Sequence, residues 1–331
     1  MLDRRRFLRL AATSAAAATL ATPAIRALAL ATERHTGSGL APLGGLAPHA
    51  HGEPGPAAGH AIGLQLFTLF PIMDDDPRGY LQKVAAIGFT EIESAYSKKP
   101  GYYGMKPQEF AALVKDLGMS WQSHHVLGAP FHMPANAKPL VDANGKPITF
   151  GPMRNLKENM QELVDEAAEG GIPFLVCANI PLHNTDEIKS SIVTLNNTGE
   201  ACKKAGITLC YHNHTEEFVQ VDGKTPYDRL LTELNPNIKM ELDLCWVTKA
   251  GIDPVTLFQA HPGRFPLWHA KDLAKDLKGP APVGTGVVDF PRIFAHASEA
   301  GMQHFFVEHD MPADAFASIT TSYKNLRKIV G

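Results

Sequence analysis

The sequence predicts an α/β fold, a single-domain (β/α)8 TIM barrel. Short β-type runs alternate with helical segments from Ile62 to the end of the chain. Eight such units in roughly 270 residues match a (β/α)8 barrel, whose typical size is about 250 residues. An open dinucleotide-binding sheet would need Gly-x-Gly-x-x-Gly after the first strand, and the sequence has none there. We therefore expect the barrel rather than the open sheet.

The predicted elements follow one another as strand and helix. One helical segment runs from Asp186 to Ala205 and stops at Gly206. Another carries apolar residues from Leu156 to Ala168 at the spacing of a core-facing helix. The eight predicted strands are residues 62–69, 90–95, 120–126, 173–180, 207–214, 238–246, 265–273 and 304–310.

Residues 1–29 have the composition of an export signal. Arginines in 4–9 precede an apolar, alanine-rich run over 10–21, and Ala-Leu-Ala at 27–29 suits a signal peptidase. The alternative is a membrane anchor, but the run is shorter than the ~20 residues of a span. The segment around Arg4–Arg9 resembles a twin-arginine signal, with Asp3 in place of the usual Ser or Thr and Arg9 in place of Lys. This resemblance implies export of a folded, metal-loaded protein to the periplasm or otherwise out of the cytoplasm.

Residues 30–60 are rich in Gly, Ala, Pro and His without periodicity, which predicts a flexible linker before a barrel over 61–331. Removal of 1–29 takes away five basic groups and one acidic group, so the formal charge falls from −3 to −7. This charge argues against a nucleic-acid partner, because no excess of Lys and Arg neutralises phosphates. The four cysteines form no Cys-x-x-Cys pair. No stable membrane anchor is expected, and the composition leaves a homo-oligomer open.

Titratable side chains collect at the carboxyl ends of the predicted strands. Eleven of the 15 histidines follow the linker, and six of those lie at strand ends. Strand residues alternate between the two faces, and active sites of these barrels lie at the carboxyl ends. We therefore expect the groups of one alternation phase to converge. The strand-end groups are Glu91, Glu93, His124, His125, His212, His214, Glu241, Asp243, His269, Lys271, Glu308, His309 and Asp310.

Several carboxylates inside one barrel would repel each other and be costly to desolvate, and a divalent cation relieves both problems. Asp243, His269 and Glu308, on strands six to eight, are mixed oxygen and nitrogen ligands. Such a set suits Mn²⁺, Zn²⁺, Co²⁺ or Mg²⁺ better than a thiolate-seeking metal. Taken alone, Glu241 also fits an ion pair lower in the barrel, and Lys271 a structural partner of a carboxylate. Together the three strand ends predict one divalent metal ion.

Ordered motifs from about residue 62 to 328 resemble the xylose isomerase-like barrel superfamily, the sugar phosphate isomerases/epimerases. In that superfamily Glu, Asp, His and Glu from four strand ends hold the metal, and the last three match Asp243, His269 and Glu308. The first Glu opens a Glu-Asn-His run, where this chain has His212-Asn213-His214. Either His212, which we favour, or Glu217 from the following loop completes the set. The motifs are IGLQLFTL (62–69), YHNHTEEF (211–218), ELDLCWVTKAGIDP (241–254), HAKD (269–272), GTGVVDF (284–290) and VEHD (307–310).

The resemblance implies a sugar isomerase/epimerase that removes an α-proton while the cation stabilises the enediolate. His214 or Glu308 is the expected base, and Glu217 is a further catalytic candidate. Glu93, His124 and Lys271 are the expected substrate contacts. The substrate is a small sugar or keto-sugar without phosphate, because export removes the enzyme from cytosolic sugar phosphates and Gly-Thr-Gly alone is a weak phosphate signal.

Three other functions stay open at this point. Loss of the strand-five Glu breaks the symmetrical carboxylate pair of the family's epimerases, so a β-eliminating lyase or dehydratase on 3-keto-glycosides or keto-inositols is the main alternative. A DNA-repair endonuclease of the same superfamily needs a larger multi-zinc set and a basic groove. A non-catalytic periplasmic sugar-binding barrel would use aromatic and uncharged polar groups and has little need for metal ligands.

Overall fold

The computed structural model of the chain describes residues 59–131 and 153–331. Eight parallel strands close into a barrel in which each strand pairs with the next and the last pairs with the first. This confirms the predicted fold. The predicted export signal, and the predicted linker except residues 59 and 60, lie outside the described residues. Among the residues described, none of the helices has the length and apolarity needed to span a membrane.

All eight predicted strands are present. They are β1 (Gly63–Gln65), β2 (Glu91–Ser94), β3 (Ser120–Leu127), β4 (Phe174–Asn179), β5 (Thr208–His212), β6 (Lys239–Asp243), β7 (Leu267–Ala270) and β8 (His304–Val307). After β7, Asp272–Leu273 and Pro280–Ala281 form a small antiparallel ladder. The α-helices are α1 (Phe70–Met73), α2 (Pro77–Ile87), α3 (Pro107–Asp116), α4 (Leu156–Gly170), α5 (Thr185–Lys204), α6 (Pro226–Glu233), α7 (Leu244–Lys249), α8 (Pro254–Ala260), α9 (Phe290–Phe294), α10 (Ala297–Ala300) and α11 (Ala315–Val330).

Seven of the eight strands end before the predicted residue, and in β1 and β6 the cause is a polar side chain that starts a helix directly after the strand. The Oε1 atom of Gln65 accepts the N–H of Phe67, and a 3-10 helix follows over Leu66–Leu69. The Oδ1 atom of Asp243 accepts two N–H groups at the start of α7. Capping of this kind satisfies N–H groups that a helix terminus leaves unpaired. The apolar runs used for prediction continue past both caps, so they overestimate the strand length.

The helices cover the barrel with apolar faces. In α4, Leu163, Val164 and Ala167 are buried, whereas Ala168 at the end of the predicted face is exposed. Inside the barrel, a separate buried cluster lies below the strand ends and is apolar. Its members are Phe174, Val176, Cys210, Leu267 and Phe306. This apolar floor lies beneath the polar side chains of the carboxyl end, where barrel enzymes have their active sites.

Candidate metal centre and active site

Titratable side chains from β2, β3 and β5–β8 fill the carboxyl end of the interior. We distinguish an inner group nearest the apolar floor, an outer group nearest the rim, and two histidines between them. The inner group is Glu93, His125 and Glu241; the bridging histidines are His212 and His269; the outer group is Asp243, Lys271, Glu308 and Asp310.

The inner group is tied together by short contacts. The Nε2 atom of His125 lies 2.6 Å from Oε2 of Glu241 and 3.2 Å from Oε1 of Glu93. Glu93 is fully buried and also accepts hydrogen bonds from Gln65 (2.6 Å) and Ser123 (2.5 Å). The carboxylate of Glu93 is therefore fully used within the protein, which is the condition for burying a charge at acceptable cost.

The outer group surrounds Lys271, which is 1% exposed. Its Nζ atom lies 3.0 Å from Oδ2 of Asp243, 2.5 Å from Oε2 of Glu308 and 3.0 Å from Oδ2 of Asp310. Burial opposes the charge on Lys271, but the three carboxylates outweigh it and hold the pKa of Lys271 well above its ordinary value. The lysine is thus a fixed cation among the outer carboxylates.

Each bridging histidine has one ring nitrogen toward each group. In His269, Nε2 lies 2.7 Å from Oε1 of Glu93, while Nδ1 lies 2.9 Å from Oε2 of Glu308 and 3.7 Å from Oδ2 of Asp243. In His212, Nδ1 lies 3.4 Å from Oε2 of Glu241, while Nε2 lies 4.0 Å from Oδ2 of Asp243. The outer-facing nitrogens therefore share a space with Asp243 and Glu308.

Burial and neighbouring charges shift the pKa values in the inner group in opposite directions. Burial, with the adjacent charge of Glu93, raises the pKa of Glu241 to about 7. Burial opposes the charged form of His125, but Glu93 and Glu241 raise its pKa to about 9. Burial also opposes ionisation of Glu93, and the charges on His125 and His269 hold its pKa well below its ordinary value. The inner group thus balances its own charges.

The arrangement fits a divalent cation. His212, Asp243, His269 and Glu308 offer ligand atoms that all lie within 4.8 Å of one another. Two imidazoles and two carboxylates suit the metals predicted from the sequence. Among the residues described, the buried Oδ2 of Asp243 accepts no hydrogen bond of regular geometry, and its nearest contact is the ion pair with Nζ of Lys271 at 3.0 Å, so it is free to contact a cation as well. A cation there would share the carboxylates of Asp243 and Glu308 with the ammonium of Lys271.

A second group of possible ligands overlaps the first. His125, His212, Glu241 and His269 also offer ligand atoms within 4.8 Å of one another. His212 and His269 belong to both groups, whereas Glu217 belongs to neither. The structure thus brings His212, and not Glu217, to the three ligands predicted on β6–β8. That these four residues hold a metal stays a prediction.

His214 and Glu217 lie in the loop after β5. The side chain of His214 is 39% exposed, and its ring centroid lies 4.9 Å from that of His212. Glu217 accepts hydrogen bonds from the hydroxyl of Tyr211 (2.7 Å) and from the N–H of His214 (2.9 Å). Burial raises the pKa of Glu217. Both oxygens of Glu217 therefore support the loop, and His214 is the accessible member of the pair.

The structure does not bring His124 to the site. Its Nδ1 atom is hydrogen-bonded to the hydroxyl of Ser94 (2.8 Å), and its ring packs against Tyr102 and Trp121. His125, the next residue, lies in the inner group instead. A register shift between β2 and β3 places Glu93 opposite Ser123, and this irregularity sets which residues of β3 face inward.

Of the other predicted substrate contacts, Glu93 and Lys271 lie in the buried clusters and are paired with protein groups. Sequence reasoning assigned no site role to His125 or Asp310, and it interpreted Glu241 singly as an ion-pair partner low in the barrel. The contact of Glu241 with His125 agrees with that interpretation. For Glu241 and Asp310 the signal was a position near a strand end on the inward phase, and for His125 it was the position near a strand end alone. Neither signal reveals which partner the residue contacts.

The sequence matches the family described as xylose isomerase-like TIM barrel over residues 81–329. A sugar phosphate isomerase/epimerase from Parabacteroides distasonis ATCC 8503 is 27% identical, with a TM-score of 0.66 over 83% of this chain and 96% of that one. No curated protein matches the sequence significantly.

Two more distant solved structures are similar in fold alone. A probable 3-DHS dehydratase from Bacillus anthracis is 15% identical, with a TM-score of 0.60 over 81% of this chain and 99% of that one. A xylose isomerase-like TIM barrel protein from Mycobacterium smegmatis, in complex with magnesium, is 16% identical, with a TM-score of 0.59 over 83% of this chain and 97% of that one.

Proposed function

The chain belongs to the xylose isomerase-like TIM barrel family, and we propose that it is a divalent-metal-dependent isomerase of an unphosphorylated sugar or keto-sugar. The observation that carries this proposal is the convergence of His212, Asp243, His269 and Glu308 at the carboxyl ends of four consecutive strands. The relative from Parabacteroides distasonis, a sugar phosphate isomerase/epimerase, supports the reaction class.

When bound, the cation would supply positive charge next to the enediolate that forms as the α-proton leaves. His214 is the base in this proposal. It is accessible, and its Nδ1 faces Oε1 of Glu217 at 4.0 Å, which leaves Nε2 to take the proton. A positioned imidazole contributes roughly 10²–10⁴-fold in such steps.

Glu308 is less suited to be the base. Burial would favour its neutral form, but Lys271 and His269 hold the pKa of Glu308 well below its ordinary value. A carboxylate held ionised by two cationic partners attracts a substrate proton only weakly. Its role in the proposal is therefore to bind the cation and to hold Lys271.

Epimerisation by two opposed carboxylates is disfavoured. The position of the first family carboxylate is His212, and burial, together with the positive charge of His269, holds the pKa of His212 well below its ordinary value. A neutral imidazole there can bind a metal, and once its outer nitrogen is bound that nitrogen has no lone pair to take a proton from the second face. One base supports isomerisation, in which His214 returns the proton to the neighbouring carbon, or elimination as the second candidate, in which that proton passes to the departing β-oxygen.

The glycine-rich loop after β7 supports a substrate without phosphate. The N–H groups of Gly284 (2.9 Å), Gly286 (2.8 Å) and Val288 (3.0 Å) all donate to the carboxylate of Asp272. Backbone N–H groups of this kind bind phosphate where they are free. Export through the twin-arginine-like segment is part of the same proposal, since it separates the enzyme from cytosolic sugar phosphates.

The test is incubation of metal-loaded protein with keto-sugars and 3-keto-glycosides in D₂O. Deuterium at the α-carbon of an intact product supports isomerisation, and loss of the aglycone supports elimination. His214→Asn should slow either reaction by about 100-fold or more. A protein that binds a sugar of this panel but exchanges no proton and forms no product with any of them is a binding protein, and that result overturns the proposal.

A further inference from the structure

The inner group remains without a function in the mechanism above. It contains a carboxylate, Glu241, that is fully buried and therefore cannot reach a substrate. One of its oxygens, Oε1, has no hydrogen-bond partner among the residues described. Burying a carboxylate is costly, so the position of Glu241 calls for a physical explanation.

Glu241 faces the inner nitrogens of both bridging histidines. Its Oε2 atom lies 3.4 Å from Nδ1 of His212 and 3.3 Å from Nε2 of His269. The other nitrogen of each ring faces Asp243, at 4.0 Å and 3.7 Å. A metal-bound imidazole commonly donates its second N–H to a carboxylate, which fixes the ring and its tautomer. The buried Nδ1 of His212 makes no regular hydrogen bond within the described part of the chain, so it is available to donate to Oε2 of Glu241.

His125 holds Glu241 from the opposite side. The hydrogen bond between Nε2 of His125 and Oε2 of Glu241 is 2.6 Å long. The ring of His125 also stacks on that of His269, with centroids 5.2 Å apart and planes inclined by 15°. His125 therefore touches both the carboxylate and one of the rings that the carboxylate faces.

We propose that Glu241, held by His125, is a positioning residue that turns the outer nitrogen of His212 toward the cation. It shares the orientation of His269 with Glu93, whose Oε1 lies closer to Nε2 of that ring, at 2.7 Å against 3.3 Å. This inference rests on the metal site of the proposed function. Glu241 lies across both rings from Asp243 and Glu308, so it acts through the histidines rather than as a ligand of the same cation. Each histidine then has one nitrogen facing the cation and the outer group, and its other nitrogen facing the carboxylates of the inner group.

The experiment is a Co²⁺ titration of the whole protein, followed by visible absorption and by competition with a chelating dye. The wild type should bind one ion. Glu241→Gln should weaken binding by about 10–100-fold and alter the Co²⁺ spectrum. Residues that hold a metal ligand without touching the metal have effects of that size. His125→Asn should weaken it less, and the double variant should be no weaker than Glu241→Gln alone, because His125 acts through Glu241.

Glu91→Gln is the matched control. Glu91 also pairs with a histidine, His304, at 2.9 Å, and it lies on β2 two residues before Glu93, away from both ligand groups. It should leave the affinity and the spectrum unchanged, and circular dichroism of each variant checks folding. Equal affinity of wild type and a folded Glu241→Gln overturns the inference while leaving the metal site intact. Two ions in the wild type and one in Glu241→Gln also overturns it, because Glu241 would then be a ligand. If the wild type binds no Co²⁺, the proposed metal site is wrong, and the inference about Glu241 falls with it.

Discussion

The barrel holds buried Glu–His contacts near both ends, and the two ends are built differently. Toward the amino end, Glu91 and His304 form one pair, with Gln122 donating to the same carboxylate at 3.3 Å. Their side chains are 10% and 20% exposed, so water reaches the pair. At the carboxyl end the inner group, the bridging histidines, Asp243, Lys271 and Glu308 are nearly or fully shielded, while Asp310 is 19% exposed. Some polar atoms of these groups make no hydrogen bond within the described residues.

The difference shows what distinguishes a site from a structural ion pair. Both regions contain glutamate and histidine on barrel strands, so residue type does not separate them. The amino-end pair satisfies itself, whereas the other end gathers more carboxylates and imidazoles than pairing can satisfy. Unsatisfied, desolvated groups are costly, and a bound ligand is one way to stabilise them.

The largest expected effect is that of Asp243→Asn. Asparagine still caps α7 but removes the carboxylate from the outer group. We expect divalent-metal affinity to fall by more than about 100-fold, and activity to fall with it. This loss is larger than that expected for residues that only hold a metal ligand in place. Asp253→Asn is the control, because Asp253 caps the neighbouring helix α8 in the same way. Isothermal titration with Mn²⁺ measures both; retained affinity in Asp243→Asn would contradict the assignment of the carboxyl end as the site.

Lys271→Met should cost about 3–5 kcal/mol of unfolding free energy in metal-free buffer, because it leaves buried carboxylates without their cation. Added Mn²⁺ should restore part of the loss, since it neutralises the same carboxylates. Urea denaturation with EDTA and with Mn²⁺ measures the difference. The matched variant is Lys249→Met: Lys249 lies 5.0 Å from the ring centroid of Trp246, and Lys271 lies 4.9 Å from it. If Mn²⁺ stabilises both variants equally, the charge argument for Lys271 is wrong.

His124 lies beside the centre but outside it, and its effect should be smaller. Burial, with the nearby charge of His125, lowers the pKa of His124 to about 3. Its ordinary pKa is about 6.5, so the unfolded chain binds a proton more readily between the two values, and stability falls as the pH falls through that window. His124→Asn should reduce the loss of unfolding free energy between pH 7 and 5.5 by about 1 kcal/mol. An unchanged pH dependence in chemical denaturation would show that His124 does not titrate in this way.

Glu91→Gln should have the smallest effect, below about 1 kcal/mol on the unfolding free energy. The amide keeps the size of the side chain and still accepts a hydrogen bond, and water can solvate what it leaves. Thermal unfolding and turnover should both stay close to those of the wild type. A large loss of activity in this variant would erase the distinction between the two ends of the barrel.

The fold could be predicted because each strand contains an apolar run and each helix contains apolar residues at helical spacing, and both patterns are local. Asp243, His269 and Glu308 could be predicted because β6–β8 alternate regularly, so the inward phase follows from counting. On β3 counting fails: a register shift relative to β2 decides that His125, not His124, faces the centre. Such a shift depends on pairing between strands far apart in sequence, which neither strand encodes alone.

Contacts between side chains on opposite sides of the barrel could not be predicted from the sequence either. His125 and Glu241 lie 116 positions apart, and no local pattern links them. The sequence left Lys271 as either a substrate contact or an ion-pair partner. The structure shows the ion pairs, because three carboxylates from β6 and from the end of β8 converge on one ammonium.

The carboxylate of Asp272 acts as an internal template for the loop that follows β7. It accepts three N–H groups of that loop, and a side chain at Gly286 would collide with it and with the carbonyl of Leu273. The loop therefore takes its shape from the protein itself, before any ligand arrives. A substrate that binds at this rim loses no affinity to ordering the loop, so the sequence Gly-Thr-Gly contributes here through preorganisation.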